Sequence, residues 1–283
     1  MVVGQFGKIM KIGAVIQARY DSTRLPGKVL MNLPFNENKT ILNQIVNRLQ
    51  KVKLIDEIII ATSNNPKDAV IETFAREQRI KCIRGDENNV LKRFVQVIKE
   101  ENLDVVIRIT GDNPVVLIDI LEKALQQHLK SNFDYTRNLN LPYGTSFEIV
   151  NANVLEKVSQ EPDLSESDKE HVTIYIKNNR KTFSILELDH KVNYSDFRFT
   201  VDYPSDYGAM NIIYQYLSTL DYNYNLKTLL EFLEDNSWIQ GINNSNLQKK
   251  QGNNLEEELE IAVGVLGSLE LNRVVLFLKD KLG

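Results

Sequence analysis

Four short runs of apolar, mostly β-branched residues alternate with amphipathic segments through the first half of the chain. That alternation restricts the fold more than any other feature of the sequence. The runs are IGAVI (12–16), EIIIAT (57–62), KCIRG (81–85) and DVVIRIT (104–110). A short, near-continuous apolar run is the pattern of a strand buried on both faces. Between the runs, Ile41, Leu42, Ile45, Val46 and Leu49 recur at helical spacing. Pro66 opens a helix over 66–74, and Val90, Leu91, Phe94, Val95 and Ile98 mark another. Residues 115–129 read as a fourth helix. The order implies an α/β fold, Rossmann-like in plan, with a mostly parallel (mixed) sheet sandwiched by helices and joined by right-handed crossovers.

The second half is less regular. FDYTRN, TSFEIV, FSILEL and FRFTV read as strands, and 151–160, 165–178 and 204–220 as helices. These strands extend the same sheet and wall a substrate pocket. From 236 to 254 the chain turns Asn-, Gln- and Ser-rich, a flexible-linker composition. The expected organisation is a catalytic domain over 8–241, a polar linker over 242–254 and a helical tail over 255–283, read as one or two short helices weakened in the middle by Gly264 and Gly267. The tail carries Leu259, Ile261, Val263, Leu266, Val274, Leu276 and Leu278, enough apolar surface to dock on a second copy or on its own catalytic domain. A homodimer is the favoured expectation.

With 283 residues, the chain can bury one large core plus a small appendage. A net charge of −4 argues against nucleic acid as a partner. No stretch reaches the roughly 18 apolar residues of a membrane span, and MVVGQFGKIMKIG has no cleavage site, so a cytoplasmic setting is expected. Cys82 is the only cysteine, and His128, His171 and His190 are far apart, which argues against zinc.

The first strand breaks into a polar loop, QARYDSTRLPGK (17–28), that carries Arg19, Arg24 and Lys28 against one acid, Asp21. Small and turn-forming residues between the cations let backbone N–H groups point inward, and such a loop holds a polyanion, most naturally a triphosphate. It is not a GxxxxGK[ST] P-loop. Gln17, Ala18, Ser22 and Thr23 belong to the same nucleotide-binding loop.

Asp112 follows the fourth strand in GDNP, after Gly111, and Asp202 repeats the pattern in VDYP. Each can serve as a turn or cap residue. Each can equally supply a carboxylate to Mg²⁺, which keeps waters and substrate phosphates in its shell. Two such aspartates at two strand ends favour the metal site, whereas Asp206 reads as a cap in the first helical turn. Thr62 and Ser63 can read a nucleobase edge or form a plain turn. Arg84 can touch the nucleotide or form an ion pair. Glu148, an acid within an apolar strand, lines a polar pocket or pairs with a cation, because an unpaired buried carboxylate is costly. Tyr135, Arg137 and Asn138 fit the same wall, while His171 is either a satisfied, partly buried residue or a general base.

VIQARYDSTRLPGKVL resembles the signature of the cytidylyltransferases of the spore-coat polysaccharide biosynthesis type (the SpsF family), and is similar to the phosphate loop of CMP-Kdo and CMP-sialate synthetases. IIIATS (58–63), IRGDENNVLKRF (83–94), VIRITGDNP (106–114), EHVTIYI (170–176) and FTVDYPSDY (199–207) continue the agreement in order. The resemblance implies a nucleotide-diphospho-sugar-transferase-like fold, CTP as nucleotide, Mg²⁺ as cofactor and an activated sugar as product. By matching position, Arg19, Ser22, Arg24 and Lys28 would hold the triphosphate, and Asp112 and Asp202 the metal. Arg19, Lys28 and Asp112 would be catalytic, and Arg137, Asn138, Gly144, Glu148 and His171 would face the sugar. LNLPYGTSF (139–147) lacks the acid usual in the family's substrate stretch, and HVTIY has isoleucine where proline is common. The expected reaction is transfer of CMP from CTP to a sugar, sugar acid or sugar phosphate. The alternatives are a glycosyltransferase, against which the absence of a DxD motif counts, and a non-catalytic nucleotide-binding protein.

Overall fold

Strand β1 (Ile12–Gln17) lies in the interior of the sheet, with Ile12, Ala14, Val15 and Ile16 fully buried. The computed structural model describes residues 2–3, 9–131, 133–191, 193–194, 197–244, 246 and 255–282. After β1 come α1 (Ile41–Leu49), β2 (Glu57–Ser63), α2 (Ala69–Glu77), β3 (Lys81–Gly85), α3 (Val90–Glu101), β4 (Val105–Thr110) and α4 (Ile118–Lys130). The second half adds β5 (Tyr135–Leu139), β6 (Glu148–Asn151), α5 (Ala152–Val158), α6 (Glu166–His171), α7 (Ile174–Asn178), β7 (Ile185–Asp189), α8 (Pro204–Thr219), α9 (Leu226–Asp235) and α10 (Gln240–Asn243). Val2–Val3 and Ile9–Met10 form a separate antiparallel pair.

The seven strands lie in the order β3-β2-β1-β4-β6-β5-β7. β1, β2, β3 and β4 pair in parallel, as do β5 and β7, while β6 runs antiparallel to both of its neighbours. Alternate β1 side chains serve two cores. Ile12, Ala14 and Ile16 pack with α1, α4 and α8, whereas Val15 packs with Leu91, Phe94 and Val97 of α3 and Leu155 of α5. The chain moves outward from β1 to β3, then returns to the other side of β1 as β4. Open α/β sheets bind ligands in the crevice at such a switch point. The polar loop and Asp112 both leave the sheet there.

Three expected elements differ. The helix expected over 165–178 is two helices, broken where Val172 adopts φ +62°. A β-branched residue pays for that conformation, and the break puts Thr173 Oγ1 2.7 Å from Glu148. FRFTV is not a strand: among the described residues it makes one bridge, Tyr143 to Arg198, because its later backbone turns to Asp112 instead. The polar run from 236 starts as a short 3-10 turn and α10, with Ile239 and Asn243 buried. Most of its remainder, 245 and 247–254, lies outside the described residues.

Residues 1–245 form one compact unit and 246–283 another. The second holds α11 (Leu255–Ser268) and α12 (Asn272–Leu282), which pack on each other. Gly264 and Gly267 lie inside α11, and the chain turns at Glu270, φ +57°. Among the described residues no helix is long and apolar enough to cross a membrane.

Candidate active site

The loop after β1 is shaped by the strand ends around it. Ala18 N–H donates to Ala61 O at 3.2 Å and Tyr20 N–H to Asp68 Oδ1 at 2.7 Å. Asp68 also accepts from the Ser63 backbone and hydroxyl, so one buried carboxylate ties the loop to the end of β2. Gly111 N–H donates to Gln17 O at 2.8 Å, and a Cβ on Gly111 would lie 2.9 Å from Ala18 Cβ. The ends of β1 and β4 can approach this closely only without a side chain there.

Lys28, buried, opens the short 3-10 turn Lys28–Leu30, and its Nζ lies 2.8 Å from both Asp112 Oδ2 and Asp202 Oδ1. Arg24 Nη2 lies 2.8 Å from Asp202 Oδ1, with its guanidinium 4.7 Å from the centre of the Tyr203 ring. Burial pushes the Asp202 carboxyl up, but Lys28 and Arg24 outweigh it and hold the group below the usual aspartate range. Two loop cations and two aspartates from distant parts of the chain thus meet at the switch point.

Backbone pairing brings the aspartates together. Val201 N–H donates to Asp112 O at 2.9 Å, and Phe199 N–H to Tyr143 O at 2.7 Å. Gly144, at φ +90°, lies so close to this segment that a Cβ would meet Thr200 N at 2.5 Å. Asp206 then fixes the turn after it, accepting from the backbones of Asp202 and Tyr203, from Arg198 Nε at 2.8 Å and from Asn243 at 3.1 Å. This is the capping role expected for Asp206.

The two carboxylates suit a hard, oxygen-preferring cation. They are oxygen donors converging on one point, and Asp112 is 29% exposed, which leaves room for other ligands. Among the described residues no cluster of three or more acids, histidines or cysteines could hold an ion alone. The rest of the shell would come from water and a phosphorylated ligand.

The other expected residues divide. Arg19 and Thr23 are exposed on the same loop, Ser22 is half-buried, and Thr62 Oγ1 is buried with no hydrogen-bond partner. Arg84 spends its donors on the β2–α2 turn, reaching Ser63 O at 3.0 Å, Asn65 O at 2.8 Å and Glu72 at 3.1 Å. Glu148 pairs with cations: Arg108 at 2.5 Å and Lys177 at 3.1 Å, with Tyr135 and Thr173 hydroxyls donating as well. Burial pushes its carboxyl up, yet Arg108 and Lys177 prevail and hold it well below the usual range. Arg108 Nε also donates to Gln17 Oε1 at 2.9 Å, linking this cluster to the end of β1. Arg137 pairs with Glu187, Asn138 with His190, and His171 ends α6 half-buried. A cleft of about 800 Å³ between α4, β5, β7 and α9 contains Asn138, but none of the loop cations and neither aspartate.

Sequence reasoning passed over Asp68, Arg108, Arg198 and Arg93. Arg93 had a legible signal, since it interrupts the apolar stripe of α3 between Val90 and Val97. It is 4% exposed, and its Nε and Nη1 have no hydrogen-bond partner.

A family model described as cytidylyltransferase matches residues 13–261. The spore coat polysaccharide biosynthesis protein SpsF of Bacillus subtilis is 38% identical over 207 residues, 71% of this chain and 85% of that protein. A cytidylyltransferase structure from Leptospira borgpetersenii superposes with a TM-score of 0.77 at 26% identity, covering 86% of this chain and 100% of that one. The CMP:2-keto-3-deoxy-manno-octonic acid synthetase solved with CTP shares the fold, with a TM-score of 0.57 at 17% identity over 74% of this chain and 99% of that one. With its loop, its paired aspartates and these likenesses taken together, the chain belongs to the cytidylyltransferase family.

Proposed function

We propose that the protein transfers CMP from CTP to an oxygen of a sugar, sugar acid or sugar phosphate, in surface polysaccharide or glycan synthesis. An oxygen of the acceptor forms a bond to the α-phosphorus, the bond to the β-phosphate oxygen breaks, and pyrophosphate leaves with that electron pair. The observation that carries this reading is Lys28 between Asp112 and Asp202 at the switch point, with Arg24 beside them. Arg19, Arg24 and Lys28 would hold the triphosphate and stabilise the charge that gathers on the leaving group. Asp112 and Asp202 would hold Mg²⁺, which supplies Lewis-acid stabilisation of phosphate charge when bound. Lys28 and Arg24 already neutralise the carboxylates, and they would exchange those partners for phosphate oxygens. CTP as nucleotide is supported by the CTP complex of the structural neighbour, and a polysaccharide setting by the SpsF relative. The apolar residues exposed on the second unit, Leu276 and Phe277 among them, suit self-association as a homodimer.

The test is pyrophosphate release from each of the four nucleoside triphosphates against a panel of sugar acids and sugar 1-phosphates, with and without Mg²⁺. Release confined to CTP with metal and one acceptor class is expected. Equal release from every nucleotide, or none, would overturn the reading.

A further inference from the structure

Among the described residues with buried, unpartnered side-chain nitrogen or oxygen atoms, Arg93 is the only charged one. A buried guanidinium without hydrogen bonds is costly to the folded chain, so its retention calls for a compensating role.

Its position narrows that role. α3 covers the sheet face that carries Val15, Ile59 and Ala61. Gln17, Ala61 and Thr110 lie side by side in the parallel register and share that face at the carboxyl ends of their strands. Thr110 Oγ1 is also buried and unpaired. Arg93 packs its Cγ against Gly85 at the end of β3, where an added Cβ would come within 2.9 Å. It thus stands on the β2–β3 side of the basic loop, while Lys28, Asp112 and Asp202 stand on the β1–β4 side. A nucleotide anchored by its phosphates at the β1–β4 crevice has its nucleoside left to occupy the β2–β3 side.

The electrostatics argue against a second phosphate contact. Burial disfavours the Arg93 charge, Asp68 favours it, Arg19 opposes it, and Asp86 and Glu87 favour it. An anion placed there would face three carboxylates, whereas a neutral acceptor would not be repelled. A guanidinium offers only donors, in a fork that matches two adjacent acceptors, as it does on guanine O6 and N7. Cytosine presents adjacent acceptors at O2 and N3, while uracil replaces the N3 acceptor by an N–H.

We propose that Arg93 reads the nucleobase, donating to O2 and N3 of cytosine, and thereby sets a preference for CTP over UTP. This rests on the nucleotide reading above and adds a residue that the loop motif does not contain.

Calorimetric titration of CTP, UTP and inorganic tripolyphosphate, each with Mg²⁺, into wild type, Arg93→Met and Arg93→Lys provides the test. Wild type should bind CTP at least about tenfold more tightly than UTP, the scale of one well-placed bidentate contact. Both variants should bring that ratio towards one, and both should keep the wild-type affinity for tripolyphosphate. Arg93→Met should also melt no lower than wild type, because it removes an unpaired charge, whereas a purely structural arginine would lower the melting temperature when replaced. An unchanged CTP preference in either folded variant would overturn the assignment, as would a parallel loss of tripolyphosphate binding. Failure of wild type to bind any of the three ligands would overturn the nucleotide reading itself, and Arg93's role with it.

Discussion

Two buried arginines in this chain, each 4% exposed, live in opposite conditions. Arg48, on α1, donates to three backbone carbonyls, Val116 at 3.1 Å, Tyr222 at 3.0 Å and Tyr224 at 2.9 Å, and its guanidinium lies 3.8 Å from the centre of the Tyr224 ring. Arg93, on α3 across the sheet, has two nitrogens that meet nothing. The difference shows that burial alone does not make a cation expensive; unmet donors do. Arg48 welds α1 to the segments before α4 and after α8. The region around the basic loop, by contrast, holds polar groups whose partners are missing or exchangeable: Arg93, Thr110, and Lys28 between its two aspartates.

The comparison breaks if the two regions respond alike to substitution. The largest effect is expected in the exchangeable region and on activity. Lys28→Ala, and separately Asp112→Asn and Asp202→Asn, should lower turnover by about 10²-fold or more, the scale of a lost transition-state charge contact. The melting temperature should move little for Lys28→Ala, because Arg24 still covers Asp202. Steady-state pyrophosphate release beside a thermal melt measures both; near-wild-type turnover in all three variants would remove the site from the β1–β4 crevice. Arg48→Met should do the reverse. It strands three carbonyls at about 1 kcal/mol each, so about 3 kcal/mol and roughly 10 °C in melting temperature, with turnover retained at 25 °C.

Glu148 sharpens the contrast through pH. Its folded-state carboxyl is held below the ordinary value, so it contributes stability above that value and loses the contribution as pH falls towards the folded one. Melting curves from pH 6 down to about pH 3 should therefore fall more steeply for wild type than for Glu148→Gln, starting near the ordinary glutamate value of about 4.3. Parallel curves would show that the carboxylate is not the group that matters. Glu187, held at about 2 by Arg180 and Arg137, is present in both proteins, so its contribution cancels from the comparison. The smallest effect concerns the second unit. Ending the chain after Ser245 should leave CTP affinity unchanged and lower the particle mass in light scattering from dimer to monomer. Equal masses would remove the dimer reading, and lost CTP binding would show that the tail completes the site.

The strands and crossovers of the first half were legible because their signals are local. Ile12 to Ile16 has one structure open to it, and Val90, Leu91, Phe94 and Ile98 have one face to bury. The basic loop was legible for the same reason, since its cations and turn residues are contiguous. Val172 was not: local helix propensity lost to the pull of Thr173 and Lys177 on Glu148, a contact 25 residues away in sequence for Thr173. FRFTV failed likewise, because its backbone bonds go to Asp112 and Tyr143 rather than to a sheet edge.

By itself, then, the sequence determined the α/β layering, the parallel half-sheet and a basic, turn-rich loop at the end of the first strand, all set by periodicity and by neighbours in the chain. Only the tertiary structure decided that Asp112 and Asp202 converge on one ammonium. It alone showed that Arg84 serves a turn and that Arg93, buried on α3, has two nitrogens without a hydrogen-bond partner. Those outcomes depend on hydrogen bonds and charges between residues far apart in sequence, whose pairing no local pattern encodes.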